Sequence, residues 1–289
     1  FPTRRSSDLM KKKVLVTGAG GYIGRHVVSS LLNNGAEVIA TDLHVDGIDS
    51  RAKIIKTDIF SGNKEIYKEL ECPDVVLHMA WKDGFVHNSD AHMEYLSKHY
   101  EFIKNLVDGG LKHLAVMGTM HEVGYYEGSI DENTPTNPIS MYGIAKDALR
   151  KSTELYLKDK DVVLQWLRAY YIYGDDKKNN SIFAKIILAE EEGKETFPFT
   201  TGKNKYDFIK VDELAHQISA TVMQDKINGI INCCSGQPVS LAEKVESFIK
   251  ENNFNIKLEY GAFPDREYDS PAVWGDNKKI KLIMNNISY

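Results

Sequence analysis

Thr17-Gly18-Ala19-Gly20-Gly21-Tyr22-Ile23-Gly24 decides the fold. It lies between an apolar run at 13–17, which reads as a short buried strand, and a stretch from Tyr22 to Asn34 with Ile23, Val27, Val28, Leu31 and Leu32 at helical spacing. A glycine turn in that position lets backbone approach a pyrophosphate. The helix start offers unpaired N–H groups and a positive dipole end, and the last glycine permits close helix–strand packing. Gly18, Gly20, Gly21, Tyr22, Ile23 and Gly24 are therefore expected to contact a dinucleotide, against the alternative of a plain structural turn. The next apolar run, Ala36 to Thr41, closes on Asp42, where a carboxylate can accept bonds from adenosine ribose hydroxyls. Its charge would repel a 2′-phosphate. NAD is expected over NADP, with Arg25 and His44 leaving NADP open.

Outward from this unit, strands and helices alternate. Ile54-Ile55 leads to Asp58, a polar helical stretch runs to Leu70, and Val75-Val76-Leu77-His78 is a strand. A helix from about Asn88 to Asp108, a strand at Leu114 to Met117, a helix from Met141 to Leu157 and a strand at Val162 to Ala169 follow. Parallel strands need crossover connections, so this alternation predicts an α/β fold with a Rossmann-type, doubly wound parallel sheet. Beyond Tyr173 the pattern loosens into helices near Ile182–Glu191, from Glu213 and at Leu241–Lys250, with strand-like runs at Asp207–Val211 and Ile230–Cys233. The expected division is a dinucleotide-binding domain at 10–172 and a smaller C-terminal α/β substrate lobe at 173–289, with about 205–232 packing back on the first. FPTRRSSDL (1–9), ahead of Met10, is set aside as a non-native leader.

The chain has 289 residues, 42% of them hydrophobic, and 36 basic against 41 acidic side chains give a net charge of −5. That balance suits a soluble globular enzyme and argues against a nucleic-acid surface, which needs concentrated Lys and Arg. No apolar run reaches the length of a membrane span. Cys72, Cys233 and Cys234 form neither a disulfide framework nor a metal frame, which fits a reducing cytoplasm. Small molecules are the expected partners, and no metal is expected.

A second constellation is Tyr142-Gly143-Ile144-Ala145-Lys146. Residues i and i+4 share a helix face, so the phenol and the ammonium point the same way. A nearby positive charge is expected to lower the tyrosine pKa. Such a phenol can exchange a proton with a sugar oxygen while hydride moves at the attached carbon.

Taken together, these residues resemble the extended short-chain dehydrogenase/reductase family, in its branch of NAD-dependent nucleotide-sugar epimerases, dehydratases and reductases. The likeness rests on TGAGGYIG (17–24), Asp58-Ile59, His78-Met79-Ala80 in place of HxA, DENTPTNPISMYGIAK (131–146), LRAYYIYG (167–174), DFIKVDELA (207–215) and INCCSG (231–236). It implies that Asp58 and Ile59 border the adenine, that Ala80 lines the dinucleotide, and that Lys146 also holds the nicotinamide ribose. It puts Thr119 on the catalytic hydroxyl position, making Thr119, Tyr142 and Lys146 the triad. It further implies substrate contacts from Lys82, His121, Tyr171 and Arg266, and a homodimer through the helices at about 88–108 and 141–157.

Departures from the pattern narrow the chemistry. Met120-His121 stands where the 4,6-dehydratases carry Asp-Glu, which argues against dehydration. Tyr171 replaces the usual Asn of LRxxN, Tyr206 the Arg of RDF, and Lys210 the His of FIHVDD. His121 reads either as a second acid/base or sugar-hydroxyl partner, or as a hydrogen-bonded loop residue. The expected activity is NAD(P)-dependent redox chemistry at C4 of a nucleotide-activated sugar, with reduction of an NDP-4-keto-6-deoxyhexose for a surface polysaccharide preferred. A 4-epimerase similar to UDP-galactose 4-epimerase is the alternative, and a non-catalytic redox sensor a distant third.

Overall fold

The computed structural model describes residues 11–174, 181–265 and 269–286. The first half runs β1 (Lys13–Thr17), α1 (Tyr22–Asn33), β2 (Glu37–Thr41), β3 (Lys53–Ile54), α2 (Ile66–Glu69), β4 (Val75–His78), α3 (Ala91–Asp108), β5 (His113–Thr119), β6 (Gly128–Ile130) and α4 (Met141–Leu157). Then come β7 (Val163–Ala169), β8 (Tyr171–Tyr173), α5 (Ile182–Glu191), β9 (Thr196–Pro198), β10 (Lys205–Lys210), α6 (Val211–Val222) and β11 (Gly229–Cys233). The chain continues through β12 (Pro238–Ser240), α7 (Leu241–Glu251), β13 (Lys257–Glu259), β14 (Ala272–Gly275) and α8 (Lys278–Asn285).

The main sheet has seven parallel strands in the order β11-β7-β5-β4-β1-β2-β3. Its strands alternate between two helical layers. Val14 and Val16 of β1 join the core formed with α1, α6 and α8, while Leu15 joins the one formed with α2, α3 and α4. Val75 and Leu77 of β4 divide from Val76 in the same way. Both faces are covered, so these strands read as continuous apolar runs. From β1 the order runs outward to β2 and β3 on one side and to β4, β5, β7 and β11 on the other. The reversal between β1 and β4 opens a crevice at their carboxyl ends, where α/β sheets bind ligands. Thr17 and His78 are register partners at that point.

A second sheet, β12-β10-β14-β6 with β8 on β10, builds the distal lobe around Tyr170, Phe183, Phe208 and Phe248. The chain passes between the bodies more than once. β6 comes from before residue 172 yet lies in the small sheet, whereas α6 packs on α1 and β11 closes the large sheet. The stretch expected to be helical up to Leu70 forms only α2, because Lys64, Glu65, Lys68 and Glu69 leave little apolar surface to bury. α6 starts at Val211, with Asp212 and Glu213 in a first turn whose dipole favours carboxylates.

Asp207 of β10 fastens the lobe. It is fully buried. One oxygen accepts from Ser235 N at 2.8 Å and Ser235 Oγ at 2.5 Å, and the other from Gly236 N at 2.8 Å and Gly275 N at 3.1 Å. Asp207→Asn would turn an NH2 toward two of these donors. Urea unfolding should show a loss of about 2–4 kcal/mol, and an unchanged midpoint would deny the carboxylate this role.

Candidate active site

The glycine turn is shaped by close approach. Gly18 has φ +69°, and a Cβ there would meet Ala80 N at 2.6 Å; one on Gly24 would meet Gly18 O at 2.1 Å, and one on Gly20 would meet His44 O at 1.8 Å. Gly21 is the N-cap of α1 and makes no side-chain cap, so the helix start at the glycine turn is of the kind that can receive an anion. Tyr22 and Ile23 begin that helix. Asp42, half-buried at the end of β2, accepts from Gly20 N at 3.0 Å and His44 N at 3.1 Å. These residues fit a dinucleotide: small where backbone must approach, at a helix start where phosphate needs donors, and acidic where ribose hydroxyls would arrive.

At the sheet reversal, Thr17 Oγ1 accepts from Met79 N and Ala80 N, both at 3.1 Å. Its own proton therefore goes to His78 Nδ1, 2.8 Å away, which leaves His78 to donate from Nε2 to His99 Nδ1 at 2.8 Å. Burial holds both imidazoles uncharged, pushing His78 down to about 3 and His99 lower still.

Thr119, Tyr142 and Lys146 converge from β5 and α4. Ser140 caps α4 by accepting from Gly143 N at 3.2 Å, and Tyr142 N donates to His87 O at 2.9 Å, so the phenol sits on a fixed first turn. The Thr119 hydroxyl lies near enough to the Tyr142 phenol to pull its pKa down. Lys146 is buried and donates to Met117 O at 2.6 Å. The rings of Trp81, His87, His92 and His121 surround the phenol at 5.4–6.1 Å between centroids.

The electrostatics correct one expectation. Burial pushes the Tyr142 phenol above its ordinary value, with Thr119 pulling it only partly back and the charge of Glu122 adding to the rise. Lys146 lies 5.9 Å from the phenol ring centroid and is itself pushed down by burial to about 7, against the opposing charge of Glu122.

Glu122 is the residue that sequence reasoning passed over. It is fully buried, and Oε1 accepts from Thr119 N and Trp166 Nε1, both at 2.8 Å. Oε2 faces Arg168 Nη2 at 3.3 Å and Arg150 Nε at 3.7 Å. Thr119 Oγ1 accepts in turn from His121 N at 3.3 Å, completing a capping box on the 3₁₀ turn at Met120–Glu122. The Thr-x-x-Glu spacing was the available signal.

The remaining expected contacts scatter. Asp58 is exposed and caps a turn through Phe60 N at 2.9 Å, and Ile59 packs against the α3 side of the sheet. Ala80 lies directly under Gly18. Lys82 is exposed, 5.3 Å from the Tyr95 ring on α3. Tyr171 stands against Tyr206 at 4.3 Å, so the two tyrosine replacements meet each other. Arg266 lies outside the described residues. Among the described residues, no group of three or more His, Cys, Asp or Glu is placed to hold a metal, and no helix is long and apolar enough to cross a membrane.

A family model for the NAD dependent epimerase/dehydratase family matches residues 14–234. dTDP-6-deoxy-L-talose 4-dehydrogenase (NAD(+)) of Aggregatibacter actinomycetemcomitans is 46% identical over 272 residues, covering 91% of this chain and 98% of that protein. UDP-glucose 4-epimerase of Lactobacillus helveticus is 24% identical over 303 residues, covering 94% and 91%. The crystal structure of UDP-glucuronic acid 4-epimerase from Bacillus cereus, in complex with UDP-glucuronic acid and NAD, shares the fold at a TM-score of 0.78 with 22% identity, covering 96% and 94%.

The buried histidine pair makes the fold acid-sensitive. His78 falls from 6.5 to about 3 on folding, so stability is full above pH 6.5 and declines toward pH 3, as the unfolded chain takes up protons that the folded one refuses. Each such histidine contributes up to about 1.4 kcal/mol per pH unit. In His99→Gln, urea midpoints followed from pH 7 to pH 5 should decline less steeply than in the wild type. Parallel declines would mean that His99 does not titrate on unfolding.

Proposed function

Because the chain belongs to the NAD dependent epimerase/dehydratase family, we propose that it is an NAD-dependent oxidoreductase acting at C4 of a nucleotide-activated 6-deoxyhexose. The reaction is the interconversion of a dTDP-4-keto-6-deoxyhexose and its C4 alcohol. The observation that carries this reading is the Thr119 hydroxyl, at the carboxyl end of β5, acting on the Tyr142 phenol of the first turn of α4, at the same end of the parallel sheet as the glycine turn. The substrate class is supported by 46% identity, over nearly the full length of both chains, to an NAD(+)-dependent 4-dehydrogenase of dTDP-6-deoxy-L-talose.

NAD, when bound, takes up or supplies the hydride at C4. Tyr142 holds the proton that the C4 oxygen gains or loses, and Thr119 shares that oxygen and steadies its developing charge. Glu122 fixes Thr119 through its backbone. Lys146, protonated, favours the phenolate that remains after proton donation. A phenol raised by burial stays protonated at neutral pH and suits the donor's part, which favours the carbonyl-reducing direction. The dehydrogenase direction runs the same steps backwards and gains as pH rises, because a proton is released.

The finer features follow as part of this reading. A cytoplasmic setting is supported by three free cysteines. A homodimer through α3 and α4 is supported by exposed Met93, Ile144 and Leu155 on those helices. A role in polysaccharide biosynthesis fits a deoxyhexose product. The second reading, a 4-epimerase, is favoured by UDP-glucose 4-epimerase at 24% identity.

A 4-keto-6-deoxy nucleotide sugar mixed with the protein and NADH should discharge the reduced-nicotinamide absorbance in proportion to sugar. Interconversion of two sugar nucleotides without NADH loss would replace this reading with the epimerase. Tyr142→Phe should lower kcat by about 10²–10⁴-fold with little change in NADH affinity, as expected for loss of a proton donor. Unaltered turnover would remove Tyr142 from the mechanism.

A further inference from the structure

Trp81 opens the loop after β4, and the function above leaves it without a part. It is half-buried and stacks against His99 at 4.3 Å with 13° between planes, while Lys146 Nζ lies 3.8 Å from its ring centroid. A parallel imidazole and an ammonium both lie against the one indole. The indole is not free to turn. Its Nε1 donates to His92 Nδ1 at 3.0 Å, and His92 Nε2 donates to Val86 O at 2.9 Å. His99 is held from behind by His78, which Thr17 orients. The fixed series Thr17–His78–His99–Trp81–Lys146 thus runs from the glycine-turn strand to the helix that carries Tyr142.

We propose that Trp81 is the positioning residue for Lys146, its indole face holding the side chain as an ammonium aligned for the Tyr142 end of the site. This rests on the reading of Tyr142 and Lys146 as the reacting pair. A ring face attracts a cation most strongly where water is excluded, and Trp does so better than Phe. The other groups facing Lys146 are Glu122 from the 3₁₀ turn, His78 from β4, His99 from α3, Met117 O from β5 and Tyr142 from its own helix. Among these, Glu122 favours the ammonium by its charge, while His78 and His99 are held uncharged by burial. Trp81 adds a short-range attraction against the burial that drives the lysine toward neutrality.

The test is the Lys146 titration midpoint in the unliganded protein, read by NMR of 13Cε-labelled lysine and assigned with Lys146→Met. The expected wild-type midpoint is about 7. Trp81→Leu removes an attraction that favours the charged form and should lower the midpoint by about one pH unit, with Trp81→Phe falling between. Fluorinated tryptophan, which drains the ring face with little change of shape, should lower it too, and that effect should vanish in Trp81→Phe. It also covers the event that Trp81→Leu fails to fold. In turnover, the alkaline limb of kcat/KM should move down by the same interval and be restored in part by Phe. Equal midpoints in all forms, or a fluorination effect that survives Trp81→Phe, would overturn the proposal. Should Lys146→Met and Tyr142→Phe leave turnover intact, the functional reading falls, while the NMR midpoints still decide whether Trp81 holds Lys146.

Discussion

One buried carboxylate sets the geometry of the crevice. Glu122 has no access to solvent, and it joins the end of β5, through Thr119 N, to Trp166 and Arg168 of β7 and to Arg150 of α4. Removing one partner from such a group leaves an uncompensated charge in a low dielectric, at a cost of about 3–5 kcal/mol. Its two oxygens are therefore committed in direction. Thr119 cannot shift without breaking the short bond to its backbone, and α4 cannot slide without moving Arg150, which also binds Asp147 at 2.6 Å and Glu154 at 2.9 Å. The hydroxyl from the sheet and the phenol from the helix meet because one charge holds both supports.

The inner strands of the main sheet were legible because they are buried on both faces and read as apolar runs between glycine or charged stops, whereas the exposed two-residue edge strand β3 was not. α4 was legible to its ends, since Ser140 announces the cap and the apolar spacing continues to Leu157. The second sheet was not. β6, β8 and β12 have three residues each, shorter than any period can register, and their partners lie far away along the chain. At the site, the residue types and their spacing could be read from motifs, but the sign of the Tyr142 shift could not. A lysine four residues on predicts a lowered phenol, whereas the raised value comes from rings on the 81–92 segment and the 3₁₀ turn, which only the fold brings together. Glu122 shows the same limit: its capping spacing is written in the sequence, its burial between two arginines is not.

The three residues after Thr119 have three destinations, and these bear on which reactions the proposed site can run. Met120 is buried in the distal-lobe core with Tyr170 and Phe183, and Glu122 turns into the sheet. Only His121 faces the phenol, its ring 6.1 Å from that of Tyr142 and 4.4 Å from His87. Burial, with a smaller contribution from His87, pushes His121 down to about 4, so it carries no proton to give at neutral pH. Elimination of water across two carbons needs an acid for the leaving hydroxyl besides the group that serves the carbonyl oxygen. Here the position after Thr119 is spent on packing and the next one is uncharged. A single phenol beside a dinucleotide cradle is sufficient for moving one hydride and one proton at one carbon, which is the chemistry of oxidation and reduction at C4.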